Sequence, residues 1–175
     1  MIHRFATAAA AALLAVGLAT PGAAQDDEAL INTVEPAYDQ GGKYFTEFDI
    51  PTYQIDEDGT VDWYTYSGFR RYHSECHVCH GPDGMGSTYA PPIKDAVMDM
   101  TYYEFMEAVA SGQNLHGSGN SVMPALGDNR NVMCYIDDIY VYLRARGTGD
   151  LARGRPSKKD RPPEAFREAE DACMG

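Results

Sequence analysis

The chain has 175 residues, with 26 Asp and Glu against 14 Lys and Arg, a formal net charge of −12 and a sequence pI near 4.6. That balance excludes nucleic acid and anionic membrane surfaces as main partners, because both need a basic footprint. A hydrophobic share of 44% with 23% charged residues belongs to a globular chain, and the length suits one domain with extensions.

Residues 1–24 have the layout of a secretory signal peptide. Arg4 precedes an Ala/Leu/Val-rich run from Phe5 to Leu18, Pro21-Gly22 breaks it, and Ala23-Ala24 offers a cleavage site before Gln25. The run is shorter than the ~20 residues that span a bilayer, and no later segment is apolar for long enough. The expectation is a soluble, exported, periplasmic chain without a membrane anchor, in a compartment that permits disulfides.

Residues 25–62 form an acidic N-terminal extension with eleven acids and a single base, Lys43. Tyr44-Phe45, Phe48, Ile50, Tyr53 and Ile55 are scattered anchors for packing on a core. Asp58-Gly59 is a hairpin-type turn signal between short possible strands. Asp56, Asp58 and Gly59 carry only a fragment of a calcium-loop pattern, so a solvated turn is expected there.

Residues 63–147 read as helical. Aromatic residues at helical spacing predict a helix from Trp63 through His77. Thr101 and Glu104 fit a capping box that opens a second helix, with Phe105, Ala108 and Val109 on its apolar face and Gly112 at its end. A third is expected from an N-cap at Asn131 to just before Gly147, with Ile136, Ile139, Tyr140 and Leu143 as its stripe. Residues 148–175 make a polar C-terminal tail, basic first and acidic towards its end.

Cys76-His77-Val78-Cys79-His80 is a C-x-x-C-H sequence, the pattern of covalent haem attachment. Positions i, i+3 and i+4 share one helical face, so both thiols can reach the vinyl groups of one porphyrin while His80 sits beneath the iron. A zinc ribbon would need a second cysteine pair, and Cys134 and Cys173 stand far apart. A thioredoxin-like redox pair would want a strand before the motif.

Gly68, Tyr72, Cys76, Cys79 and His80 resemble the first helix of small single-haem cytochromes c, and Tyr142-Leu143 resembles the matching end of their last helix. The resemblance implies that Gly68 lets the last helix cross closely and that Tyr72 packs on it. Gly81 to Gly86 and Ala90-Pro91-Pro92-Ile93 are also similar to the family, in which a proline carbonyl accepts the proximal imidazole N–H. Pro91 and Pro92 are both candidates. Val122 to Gly127 resembles the family's Met-Pro loop, which makes Met123 the second axial ligand. His116, in the Gly-rich loop before it, is the alternative. His73 reads as a surface residue or a propionate neighbour, and Met98, Met100, Met106 and Met133 as core filler.

With Cys76 and Cys79 consumed by haem, Cys134 and Cys173 are expected to pair in an exported chain, the alternative being two free thiols. The stretches 62–81 and 131–140, with Asp171-Ala172-Cys173-Met174-Gly175, are similar to the four-cysteine periplasmic cytochromes c of methanol metabolism. That resemblance implies an all-α, class I cytochrome c-like domain whose Tyr-rich core wraps one covalent haem c. It also implies a monomeric one-electron carrier rather than an enzyme. Its donor would be a pyrroloquinoline-quinone (PQQ) methanol dehydrogenase of the lanthanide-dependent kind, and its acceptor a downstream cytochrome c or oxidase. The competing functions are a gas or peroxide sensor or enzyme with a labile sixth ligand, and a fixed cytochrome subunit of another dehydrogenase.

Overall fold

Two adjacent glycines form the tight hairpin that opens the first sheet. The computed structural model describes residues 28–114 and 122–175. Strands β1 (Tyr38–Gln40), β2 (Lys43–Phe45) and β3 (Pro51–Thr52) form an antiparallel sheet in that order. The β1–β2 turn is Gly41-Gly42, both at positive φ (63° and 82°), as a two-residue hairpin loop demands. The expected turn at Asp58-Gly59 joins only an isolated bridge, Ile55 with Val61. Asp58 there receives a hydrogen bond from Lys158.

Helix α1 (Trp63–Glu75) opens on Asp62, whose carboxylate accepts from the Thr65 N–H at 2.9 Å. The expected continuation through His77 is interrupted at Cys76 (φ −113°), and α2 (His77–His80) is a separate turn. A 3-10 turn at Pro82–Gly84 and α3 (Ile93–Ala96) lead to α4 (Tyr102–Ser111), which carries the complete Thr101–Glu104 capping box and ends at Gly112. The short strands β4 (Gln113–Asn114) and β5 (Val122–Met123) pair antiparallel.

The last core helix differs from expectation at both ends. Asn129, not Asn131, is the cap: its side chain accepts from the Asn131 N–H and opens α5 (Arg130–Met133). The chain pauses at Cys134-Tyr135 and resumes as α6 (Ile136–Thr148). Gly147 lies inside α6, where a side chain would run into the Lys94 carbonyl and Met98, and Gly149 (φ 89°) provides the left-handed exit. The tail folds as α7 (Glu164–Met174).

The centre of the molecule is the crossing of α1 and α6. A Cβ on Gly68 would stand 1.8 Å from the Asp138 carbonyl oxygen, so only glycine allows the two backbones to touch. Tyr72 is fully buried beside this contact, packs on Tyr142, and donates its hydroxyl to the Gly81 carbonyl at 2.6 Å.

Both extensions lie on this pair. Lys43 binds Asp137 at 2.6 Å and sits over the Tyr64 ring. From the tail, Phe166 meets Trp63 and Tyr64 edge-on, at 5.5 and 5.4 Å between centroids. Glu170 accepts from Arg71 and from the Tyr135 hydroxyl, while the Arg71 guanidinium stacks 3.5 Å above the Tyr135 ring. The Gly41-Gly42 turn packs directly against Pro163 and Ala165.

Cys134 and Cys173 form a disulfide across a separation of 39 residues. In the chain-entropy account, closing a loop of that length contributes about 4 kcal/mol. Cys134→Ser with Cys173→Ser is therefore expected to lower the unfolding free energy in urea by about that amount. A loss below about 1 kcal/mol would show that the aromatic and ionic contacts of α7 fasten the tail without the bond.

No helix among the described residues is long and apolar enough to cross a membrane.

Candidate haem-binding site

The residues singled out by the C-x-x-C-H motif and by the Met-Pro loop come to one place. Cys76, at the end of α1, and His80, at the end of α2, line a cleft with Met123 of β5. Its remaining walls are Ile93 of α3, Phe105 and Val109 of α4, Leu126, Val132 of α5, and Ile139 and Leu143 of α6. The cleft exposes no polar surface apart from what these donors bring.

Each donor is held by backbone geometry. The Cys79 and His80 N–H groups donate to the Cys76 carbonyl at 3.2 and 3.0 Å, closing the motif into one turn. The Gly86 N–H donates to the His80 carbonyl at 2.8 Å. Met123 is positioned from two sides. Its strand pairs with Gln113, just after Gly112 has turned the chain out of α4. Downstream, the Leu126 and Gly127 N–H groups donate to the carbonyls of Val109 and Ala110, both at 3.0 Å. None of these anchors uses a side chain.

Burial lowers the pKa of His80, with the Pro91 carbonyl acting in the opposite sense. The ring is therefore neutral at neutral pH. Its Nδ1 is buried and short of a formed hydrogen bond; the Pro91 carbonyl, rather than that of Pro92, is the acceptor it faces. With the proton on Nδ1, the Nε2 lone pair remains available to a metal. Burial pushes the Cys76 thiol up to about 12, the opposite of the depressed thiol a redox or zinc motif needs. Cys79 is exposed. A neutral imidazole, a thioether, two unpaired cysteines and an apolar wall are the donor set that haem c takes.

The other histidines fall elsewhere. His73 does not line the cleft. Its Nδ1 donates to the Phe69 carbonyl at 2.8 Å, its ring packs 4.3 Å from that of Phe69, and its Nε2 lies 3.6 Å from an Asp83 carboxylate oxygen. His116 and residues 1–24, where a signal peptide is expected, lie outside the described residues.

The tyrosines do not surround the cleft as expected, for a physical reason: a buried hydroxyl needs a partner, and this cleft supplies none. They gather where acceptors exist. Tyr72 bonds to the Gly81 carbonyl, Tyr142 to Asp83, Tyr135 to Glu170, Tyr53 to Asp150 and Tyr102 to Asp137. Asp83, which sequence reasoning passed over, ties three segments together. It is buried, sits at φ 58°, and accepts from Tyr142, from Arg153 and from the Gly154 N–H at 3.1 Å. Its position between Pro82 and Gly84 was the available signal of a constrained turn.

Comparison with known proteins places this geometry. No protein-family model matches the chain. It is 54% identical over 160 residues to cytochrome c-553I of Paracoccus denitrificans, covering 89% of this chain and 71% of that protein. It is 33% identical over 99 residues to cytochrome c-555 of Methylococcus capsulatus, covering 56% of this chain and 75% of that one. The crystal structure of the c-type cytochrome XoxG from Methylobacterium extorquens AM1 superposes with a TM-score of 0.76 at 52% identity, over 84% of this chain and 91% of that one. A haem-attachment motif on an apolar cleft, in a chain similar to these proteins over most of its length, makes the chain a member of the c-type cytochromes, electron-transfer proteins that carry covalently bound haem c.

Proposed function

We propose that this cytochrome is an exported, periplasmic one-electron carrier that takes electrons from a PQQ-dependent methanol dehydrogenase and passes them to a downstream cytochrome c or oxidase. The supporting observation is the convergence of the Cys76–His80 motif and Met123, from two segments far apart in sequence, on one apolar cleft. When bound, haem c supplies a one-electron iron couple. Cys76 and Cys79 would hold it by thioether bonds, and its iron would be bound by His80, oriented by the Pro91 carbonyl, and by Met123, a soft donor that favours the reduced metal. The walls from Ile93, Phe105, Leu126 and Leu143 exclude water, which limits reorganisation on electron transfer.

The surface beside the motif suits a brief encounter. Val78 is 72% and Tyr89 73% exposed, with Met85 also at the surface, and no charged residue occurs between Gly84 and Ile93. Transient redox contacts are small, and acidic residues elsewhere steer the approach.

Mixing the oxidised protein with active methanol dehydrogenase and methanol is expected to give rapid, saturable haem reduction that slows as salt is added. No reduction, by an enzyme that still reduces an artificial acceptor, would exclude this donor and leave the carrier assignment standing. Unchanged rates across salt would remove the steering role of the acidic surface.

A further inference from the structure

Two carboxylates are buried beside the crossing of α1 and α6, and their surroundings differ. Asp62 is fully served: it accepts from the Gln54 and Thr65 N–H groups, both at 2.9 Å, and from the Thr65 hydroxyl. Asp138 is 3% exposed, and its Oδ2 has no hydrogen-bond partner. The groups that face it are Tyr64 and Ser67 on α1, Asp62 before α1, Lys43 on β2, and Tyr135 and Asp137 on its own side. The one cation among them is committed, since the Lys43 ammonium binds Asp137 at 2.6 Å. Asp138 is thus a buried carboxyl in a cluster of three with one ammonium. It directly precedes Ile139, which forms part of the cleft wall.

Burial, with Asp137 and Asp62 nearby, pushes Asp138 up to about 7, against the opposing effects of Ser67 and Lys43. Oxidation of a haem in the cleft adds one positive charge to a poorly screened interior, which favours the carboxylate; reduction removes it and favours the acid.

We propose that Asp138 is the proton partner of this cytochrome's redox centre, taking up one proton from solvent as the iron gains an electron from its donor and releasing it on oxidation. This holds for any electron donor, so it stands apart from the methanol dehydrogenase assignment. Asp138 does not line the cleft and makes no hydrogen bond to His80 or Met123; it acts through charge.

The test is the midpoint potential of the full-length holoprotein from pH 5 to 9. The native potential is expected to fall as pH rises through about 7. In Asp138→Asn the slope in that range should be lost. In Lys43→Gln the inflection should move to higher pH, because the removed cation favours the ionised form. An Asp138→Asn curve that superimposes on the native one would overturn the proposal. Native protein alone supplies a second test, should that variant fold poorly. Its reduced-minus-oxidised infrared spectrum should gain a protonated-carboxyl band, and absence of that band would also overturn the idea.

Stability gives an independent sign. The folded pKa lies above the ordinary 3.8, so between about pH 4 and 7 the unfolded chain ionises at this residue while the fold keeps it protonated. Folding is penalised increasingly across that window. Asp138→Asn should therefore be more stable than the native protein at pH 8, with the gap closing towards pH 4. Equal stability at both pH values would mean that the carboxyl is already ionised in the fold, and would overturn the proposal.

Discussion

Gly68→Ala is expected to destabilise the fold by about 3 kcal/mol or more, at the upper end of what overpacking costs. The added carbon would lie 1.8 Å from the Asp138 carbonyl oxygen, 2.5 Å from its carbon and 2.8 Å from the Tyr142 Cβ. Two of these are backbone atoms, so no rotamer change relieves the contact and α1 and α6 must move apart. That movement carries Ile139 and Leu143 away from the cleft and Cys76 away from them. The yield of haem-loaded protein should fall together with the denaturation midpoint. A variant that unfolds within about 1 kcal/mol of the native protein would show that the helices can separate at little cost.

Met123→Ala should leave the fold nearly intact and change the metal. The strand pairing and the Leu126 and Gly127 anchors are all backbone bonds, so the loop keeps its place without the thioether. Loss of a soft ligand is expected to lower the midpoint potential by on the order of 0.1 V, given the span that axial ligands set. It should also let carbon monoxide bind the reduced protein, whereas the native protein is expected to resist it. An unchanged visible spectrum and potential would exclude Met123 as a ligand and turn attention to His116.

What was legible in the sequence was local. The Thr101–Glu104 box caps α4 because both partners lie within one turn. Two longer-range features were legible by other routes: Gly68 as a crossing point through the resemblance to the first helix of small cytochromes c, and Cys134 with Cys173 because two thiols were left unassigned in a chain expected to be exported. The remainder depends on contacts between distant segments. The break at Cys76 and the pause at Cys134-Tyr135 do not follow from residue propensities, which would run the helices through. The tail looked merely polar, yet Phe166, Glu170 and Cys173 share one face of α7 and dock on α1 and α5. The tyrosines were misplaced because their number is visible in sequence and their hydroxyl partners are not. Asp138 reads as an ordinary acid in the first turn of a helix; only the fold reveals that β2 and α1 close over it.

The Gly41-Gly42 turn and the Pro163–Ala165 segment touch, so the N-terminal hairpin and the C-terminal tail meet beside α1 like the ends of a belt. Neither end has a complete hydrophobic support of its own. Deleting the hairpin bares the tail, and deleting the tail bares Trp63, Tyr64 and the hairpin turn. In evolutionary terms the two segments form a single heritable part despite lying far apart in the sequence. Descendants trimmed to the haem-binding core are expected to have shed both, and lineages that keep one should be found to keep the other.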